Sequence, residues 1–181
     1  LIQKISILFT DSISSRVNLV RIASHLDEFE HSLKISKVLK DMGYEVGVNI
    51  MQISEASNDQ ITSFAKMASA YDLNVLYFAD SLGNLKPENI DNIILHLKKG
   101  WDGEIGIHTH DNMGLAMSNS QQAYKSGATW IDSTITGMGR GPGNLQTEYS
   151  LIEFVDKEQN TNYSSILKLI HNYFSPLKTK H

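Results

Sequence analysis

The chain has 181 residues, 41% hydrophobic and 20% charged, the balance of one globular domain with a core rather than of a disordered or fibrous chain. Its net charge is −4 with Lys and Arg scattered along it, so neither nucleic acid nor an anionic membrane surface is indicated as a partner. Cysteine is absent, which excludes disulfides and thiolate metal ligands and suits a reducing, cytoplasmic compartment.

The opening residues, LIQKISILFTDS, lack the basic segment and cleavage site of a signal peptide, and no apolar run approaches the roughly 18 residues of a membrane span. Because the chain opens on Leu1 rather than Met, we expect further residues upstream. KISILF, from Lys4, reads as a first strand and VNLVRIAS, from Val17, as a second. LDEFEHSLKISKVLKDMG follows with Phe29, Leu33 and Leu39 at helical spacing. YEVGVNI from Tyr44 and NVLYFA from Asn74 are the next strands, and PENIDNIILHLKKG carries Ile90, Ile93, Ile94 and Leu97 on one helical face. EIGIHTH from Glu104 and TWIDSTIT from Thr129 complete the strands. Gly43, Gly100 and Gly127 stand where helices should stop, and Pro87 where one should start.

The starts at Tyr44, Asn74 and Glu104 are 30 residues apart, a period that holds one strand, one helix and two loops. Such alternation forces parallel pairing, since a parallel neighbour needs a crossover long enough for a helix. The first gap, FTDSISSR, is too short for one. An open doubly wound sheet and a (β/α)8 TIM barrel both fit the alternation, so the strand ends must decide. They carry Thr10 and Asp11, Ser24 and His25, Asn49 and Gln52, Asp80 and Ser81, His108 and His110, Thr136 and Gly137. A barrel gathers such ends into one ring, whereas an open sheet concentrates function at one switch point. The barrel is therefore favoured. A whole barrel takes eight strands and typically about 250 residues, so six strands indicate an incomplete barrel of about six βα units. Residues 1–181 would then be the C-terminal part of a catalytic domain whose first two strands are missing.

Three motifs lie at these ends. In GIHTHDNMGLA, His108 and His110 are two residues apart, so on a strand both imidazoles face the same side in chelating geometry. Taken alone, such a pair also reads as strand-end histidines satisfied by hydrogen bonds. A catalytic ion usually needs a third ligand, and Asp111, pointing away, is expected to cap the following helix instead. GMGRGPGN, Gly137 to Asn144, reads as a shaped loop whose backbone N–H groups and Arg140 could face an anion; it matches neither a Walker loop nor G-x-G-x-x-G. ADSLG, Ala79 to Gly83, suits a turn offering donors to a carboxylate, or equally an Asx or Ser turn with no chemistry.

Read together, GEIGIHTHDNMGLAMSNSQQAYKSGATWIDSTITGMGRGPGNLQTE resembles the last two βα units of the DRE-TIM (HMGL-like) metallolyases. The similarity extends upstream through VRIASH, GYEVGVNIMQIS and YFADSLGNLKPENI. VNIMQIS, ADSLG and GMGRGPGN look most like the 4-hydroxy-2-oxovalerate aldolase branch. The resemblance implies a metal-dependent aldolase, a carbon–carbon lyase that cleaves or forms a 4-hydroxy-2-oxo acid through a pyruvate enolate. His108 and His110 would be two metal ligands and Asn144 an amide that can join them. Ser81 and Arg140 would sit on the substrate side, with Asp80 supporting the turn that carries Ser81. Without thiolates, Mn or Mg is the better fit, with Co or Zn as further options. The family's remaining Asp ligand, its Arg and its proton-transfer groups have no match here, so the catalytic residues stay unassigned. Partners implied are a small 2-oxoacid substrate, a second copy covering the open sheet edge and, for the parent enzyme, an aldehyde dehydrogenase. A Claisen-type acyltransferase of the isopropylmalate or homocitrate synthase kind and an inactive barrel fragment remain as alternatives.

Overall fold

The computed structural model describes residues 2–155 and 162–178. After a first helix, α1 (Ile2–Leu8), strands and helices alternate: β1 (Leu19–Ser24), α2 (Phe29–Asp41), β2 (Glu45–Ile50), α3 (Asn58–Ala68), β3 (Val75–Asp80), α4 (Pro87–Leu97), β4 (Glu104–Thr109), α5 (Ala116–Ser126) and β5 (Trp130–Ile131). Helices α6 (Thr147–Phe154) and α7 (Tyr163–Leu169) follow. The five strands pair in chain order, all parallel. No described helix is long and apolar enough to cross a membrane.

Strand alternation sorts side chains between two environments. Val46, Val48, Ile50, Leu76, Phe78, Ile105 and Ile107 point to the helices and join one core with Phe29, Leu33, Leu39, Ile90, Ile94 and Leu97, the helical stripes expected from spacing. Capping agrees with the sequence as well. Pro87 opens α4, and Gly127 closes α5 in the left-handed conformation, which costs glycine least. The opposite face of the sheet holds a different population. Register aligns Arg21 with Gly47, and Ala23 with Asn49, Tyr77, Gly106 and Trp130; His108 stands beside Ala79 one step further on. That face is polar and glycine-containing, as a barrel interior bearing a site must be.

One expected strand is a helix. In KISILF the alternation of Ile5 and Ile7 suggested a strand, but the decisive pair is Ile5 with Phe9, four residues apart. Phe9 N–H donates to the Ile5 carbonyl at 2.9 Å, both side chains pack on the core, and Ile7 is 81% exposed. Among the described residues the strands number five rather than six. Thr10 and Asp11 consequently leave the mouth: Thr10 accepts from Tyr44 Oη at 2.6 Å, just before β2 and at the opposite end from the site. The short gap FTDSISSR thus needs no crossover.

Candidate metal centre and substrate cleft

Strand β4 delivers His108 from its interior face and His110 one residue past its end, with ring centroids 5.1 Å apart and planes nearly perpendicular. Each ring is fixed through Nδ1. His110 Nδ1 lies 3.0 Å from the Asp80 carbonyl and 3.1 Å from that of Ser81. Carbonyls only accept, so Nδ1 carries the proton and Nε2 is left with its lone pair. His108 Nδ1 lies 2.9 Å from Asp132 Oδ2, and Arg21 Nη1 donates to Asp132 Oδ1 at 2.6 Å. Burial alone would raise the Asp132 pKa, but hydrogen bonds from His108 and Arg21 outweigh it and hold the carboxyl below its ordinary value. Asp132 is therefore ionised, an acceptor at both oxygens, and His108 too presents a bare Nε2. Metal-binding histidines commonly have Nδ1 tied to a carboxylate or carbonyl in this way.

The glycine-rich loop carries the third residue expected at the site, Asn144. Asn144 N–H donates to the Gly137 carbonyl at 3.0 Å, a closure that needs glycine at 143 because a Cβ there would collide with the same carbonyl. Asp111 N–H donates to the Gly143 carbonyl at 2.9 Å and Asn144 bridges to His110, so the Asn144 backbone runs beside His110, while its carboxamide packs over Gly139 within the loop. Its Oδ1 is buried without a hydrogen-bond partner, an orphaned acceptor of the kind a cation satisfies. Two imidazoles and an amide oxygen fit a divalent ion as part of its shell. Among the described residues no three His, Cys, Asp or Glu side chains gather to complete it.

Beside His110 opens a cleft of about 490 Å³ lined by His25, Gln52, Ser81, His110, Asn112 and Arg140, among others, and no carboxylate among the described residues lines it. Ser81 Oγ accepts from Gln52 N–H at 2.9 Å, which leaves the hydroxyl proton free to donate. Gln52 holds φ 53°, uncommon for a residue with a side chain, and its Oε1 lies 3.2 Å from His25 Nδ1. Arg140 is exposed at the rim. Ser81 and Arg140 thus share one cleft with His110, whereas the Asp80 carboxylate does not line it. Asp80 Oδ1 accepts from Asn84 and Leu85 N–H at 3.1 and 3.3 Å, shaping the turn that offers its carbonyl to His110. Burial raises its pKa against those hydrogen bonds. Asp111 is not the N-cap of α5, a position held by Leu115, but its Oδ1 accepts from the first helical N–H, that of Ala116, at 2.9 Å.

Arg21, Tyr77 and Asp132 were not singled out from the sequence. Alternation through TWIDSTIT would have turned Asp132 to the same side as Trp130, but nothing local marks its partner, 111 residues away.

A family model described as HMGL-like matches residues 6–170. The 4-hydroxy-2-oxovalerate aldolase of Geobacillus thermodenitrificans is 37% identical over 141 residues, 78% of this chain and 41% of that protein. That of Brevibacillus brevis is 30% identical over 164 residues, 89% of this chain and 48% of that protein. The chain spans less than half the length of these relatives. The N-terminal domain of a candidate aldolase from Bacteroides vulgatus superposes with a TM-score of 0.84 at 30% identity, covering 99% of this chain and 60% of that one. HMG-CoA lyase of Bacillus subtilis superposes at 0.74 and 19% identity, over 87% and 62%, a likeness of fold. The five parallel strands are an arc of a (β/α)8 barrel.

Proposed function

Because the chain belongs to the HMGL-like family, we propose that it forms the metal- and oxoacid-binding wall of a divalent-metal-dependent aldolase, cleaving or forming a 4-hydroxy-2-oxo acid through a pyruvate enolate. The observation that carries this reading is that His108 and His110 are both held through Nδ1 by acceptors, leaving Nε2 lone pairs on two adjacent rings; Asn144, whose Oδ1 is buried without a partner, belongs to the loop whose backbone bridges to His110. His108, His110 and Asn144 would hold the ion, Mn or Mg by the hardness of its remaining oxygen ligands, with Co or Zn as further options. When bound, such an ion supplies Lewis acidity to a 2-oxo acid.

The chain's own residues do the rest of the binding. Ser81 donates its free proton to the substrate carboxylate, and the Arg140 guanidinium adds positive charge at the rim of a cleft that no acidic group among the described residues lines. Asp80 keeps the turn that holds both Ser81 and His110. His25 is the imidazole of the cleft that remains available to move a proton from a 4-hydroxyl. A subunit of the same kind and an aldehyde dehydrogenase acting on the product are the partners consistent with this chemistry.

The test is Mn binding together with exchange of pyruvate methyl protons into deuterated solvent by the protein carrying this chain. His108→Ala and His110→Ala should each abolish both. Retention of tight Mn binding by the double variant would overturn the assignment.

A further inference from the structure

Beneath the two histidines runs an ionic chain that the proposed chemistry leaves unused. Arg21 starts on β1 and reaches to Asp132 beyond β5, a 2.6 Å contact from one edge of the arc to the other. Room for its stem comes from Gly47, where a Cβ would stand 3.1 Å from Arg21 Cγ and 2.9 Å from Val75 Cγ1. Its guanidinium carbon lies 4.2 Å from the centre of the Tyr77 ring, and Tyr77 fills the space that Gly106 leaves open. Two glycines and a buried aromatic ring thus aim one cation at one oxygen of Asp132.

A guanidinium only donates and a carboxylate only accepts. With Arg21 on Oδ1, Asp132 turns Oδ2 to His108 Nδ1. We propose that Arg21, acting through Asp132, is a positioning residue that fixes His108 as the Nδ1–H tautomer and so keeps Nε2 bare for a divalent cation. The effect on metal affinity rests on the reading of His108 as a ligand; the effect on the tautomer does not.

Asp132→Asn separates this from a merely structural ion pair. The asparagine has the same shape, but Arg21 can hold only its oxygen, which forces the amide NH2 toward His108 Nδ1. Nδ1 must then accept, the proton moves to Nε2, and the lone pair offered to a metal is lost. Adding Arg21→Met frees the amide to rotate and turn its oxygen back to His108. A second substitution next to the first should therefore rescue it.

The experiment is nitrogen-resolved NMR of the imidazoles in the metal-free 181-residue chain, above the ordinary histidine pKa, with Mn affinity measured on the same samples and circular dichroism as the check on folding. Wild type should show His108 protonated at Nδ1. Asp132→Asn should show it protonated at Nε2, with Mn affinity lower by about 10- to 100-fold. Arg21→Met with Asp132→Asn should return His108 toward Nδ1–H and recover part of the affinity. A wild-type His108 protonated at Nε2, or a folded Asp132→Asn chain with an unchanged tautomer, overturns the proposal, as does failure of the double variant to shift the tautomer back. Should Asp132→Asn not fold, the wild-type tautomer and the Mn affinity of Arg21→Met decide: Nδ1–H with weakened binding supports the proposal, and undiminished binding overturns it. The expected tautomer pattern without Mn binding by any form would refute the metal reading and uphold the positioning role.

Discussion

Gly106→Ala tests whether the interior layer is as tightly built as its geometry states. A Cβ on Gly106 would lie 2.5 Å from Tyr77 Cζ, against the 3.5 to 4.0 Å or so at which carbon atoms rest, so the ring must retreat by about 1 Å. It has little room to do so. Tyr77 is 2% exposed, Arg21 lies over its face at 4.2 Å, and Trp130 meets it edge-on with centroids 6.3 Å apart. Forcing an extra methyl into a filled interior costs about 1–3 kcal/mol. Replacing glycine within a strand returns about 0.5–1 kcal/mol of backbone entropy. The net expectation is a loss of about 0–2.5 kcal/mol, read as a lower midpoint in urea at unchanged slope. The sign carries the argument, because strand propensity alone predicts a gain. In a Tyr77→Leu background, where the ring edge is gone, the same substitution should become neutral or stabilising. A Gly106→Ala chain more stable than wild type would refute the packing described for this layer.

Two further outcomes follow from the same region. The Tyr77 pKa is pushed up to about 12 by burial, then by the negative charge of Asp132, against the opposing influence of Arg21. Folding therefore favours the protonated phenol: its contribution is intact below the ordinary value near 10 and is lost as pH rises toward 12, where the unfolded chain alone has released its proton. Tyr77→Phe should flatten that alkaline decline in stability, and an unchanged alkaline midpoint would contradict the assignment. Ser81→Ala should raise KM for pyruvate about tenfold, as expected for one hydrogen bond to a carboxylate, with a smaller change in kcat; an unaltered KM would remove Ser81 from the substrate.

What could be read from the sequence was what is local. His108-x-His110, the Asp80 and Asp111 turns and the spacing of Ile90, Ile93, Ile94 and Leu97 each need only a few consecutive residues to declare an orientation. The 30-residue period likewise needed only βα units of equal length, and the structure has them. KISILF misled because Ile5 and Ile7 alternate like a strand, while the contact that decides, Ile5 with Phe9 against the core, is tertiary. The Arg21–Asp132 pair is more remote still. Neither residue has a neighbour in sequence that marks it, and the glycines that make room for Arg21 and Tyr77 lie on other strands. Asn144 stood between these cases: its motif was visible, but its closeness to His110 depends on the loop folding back through Gly137 and Gly143.

The two histidines, although separated by one residue, are held by different parts of the molecule. His110 is tied to carbonyls of the turn after β3, the strand paired directly with its own, so its orientation depends on adjacent backbone. His108 depends on a side chain beyond β5 that is held by another on β1. Those are the outermost strands of the sheet among the described residues, so the support of His108 spans the whole sheet where that of His110 spans one strand pair. Loss of either Arg21 or Asp132 releases the orientation of His108, while the contacts of His110 to the Asp80 and Ser81 carbonyls remain. The two rings thus have unequal support, and if they ligate an ion as proposed, the orientation of His108 is only as secure as the Arg21–Asp132 pair behind it.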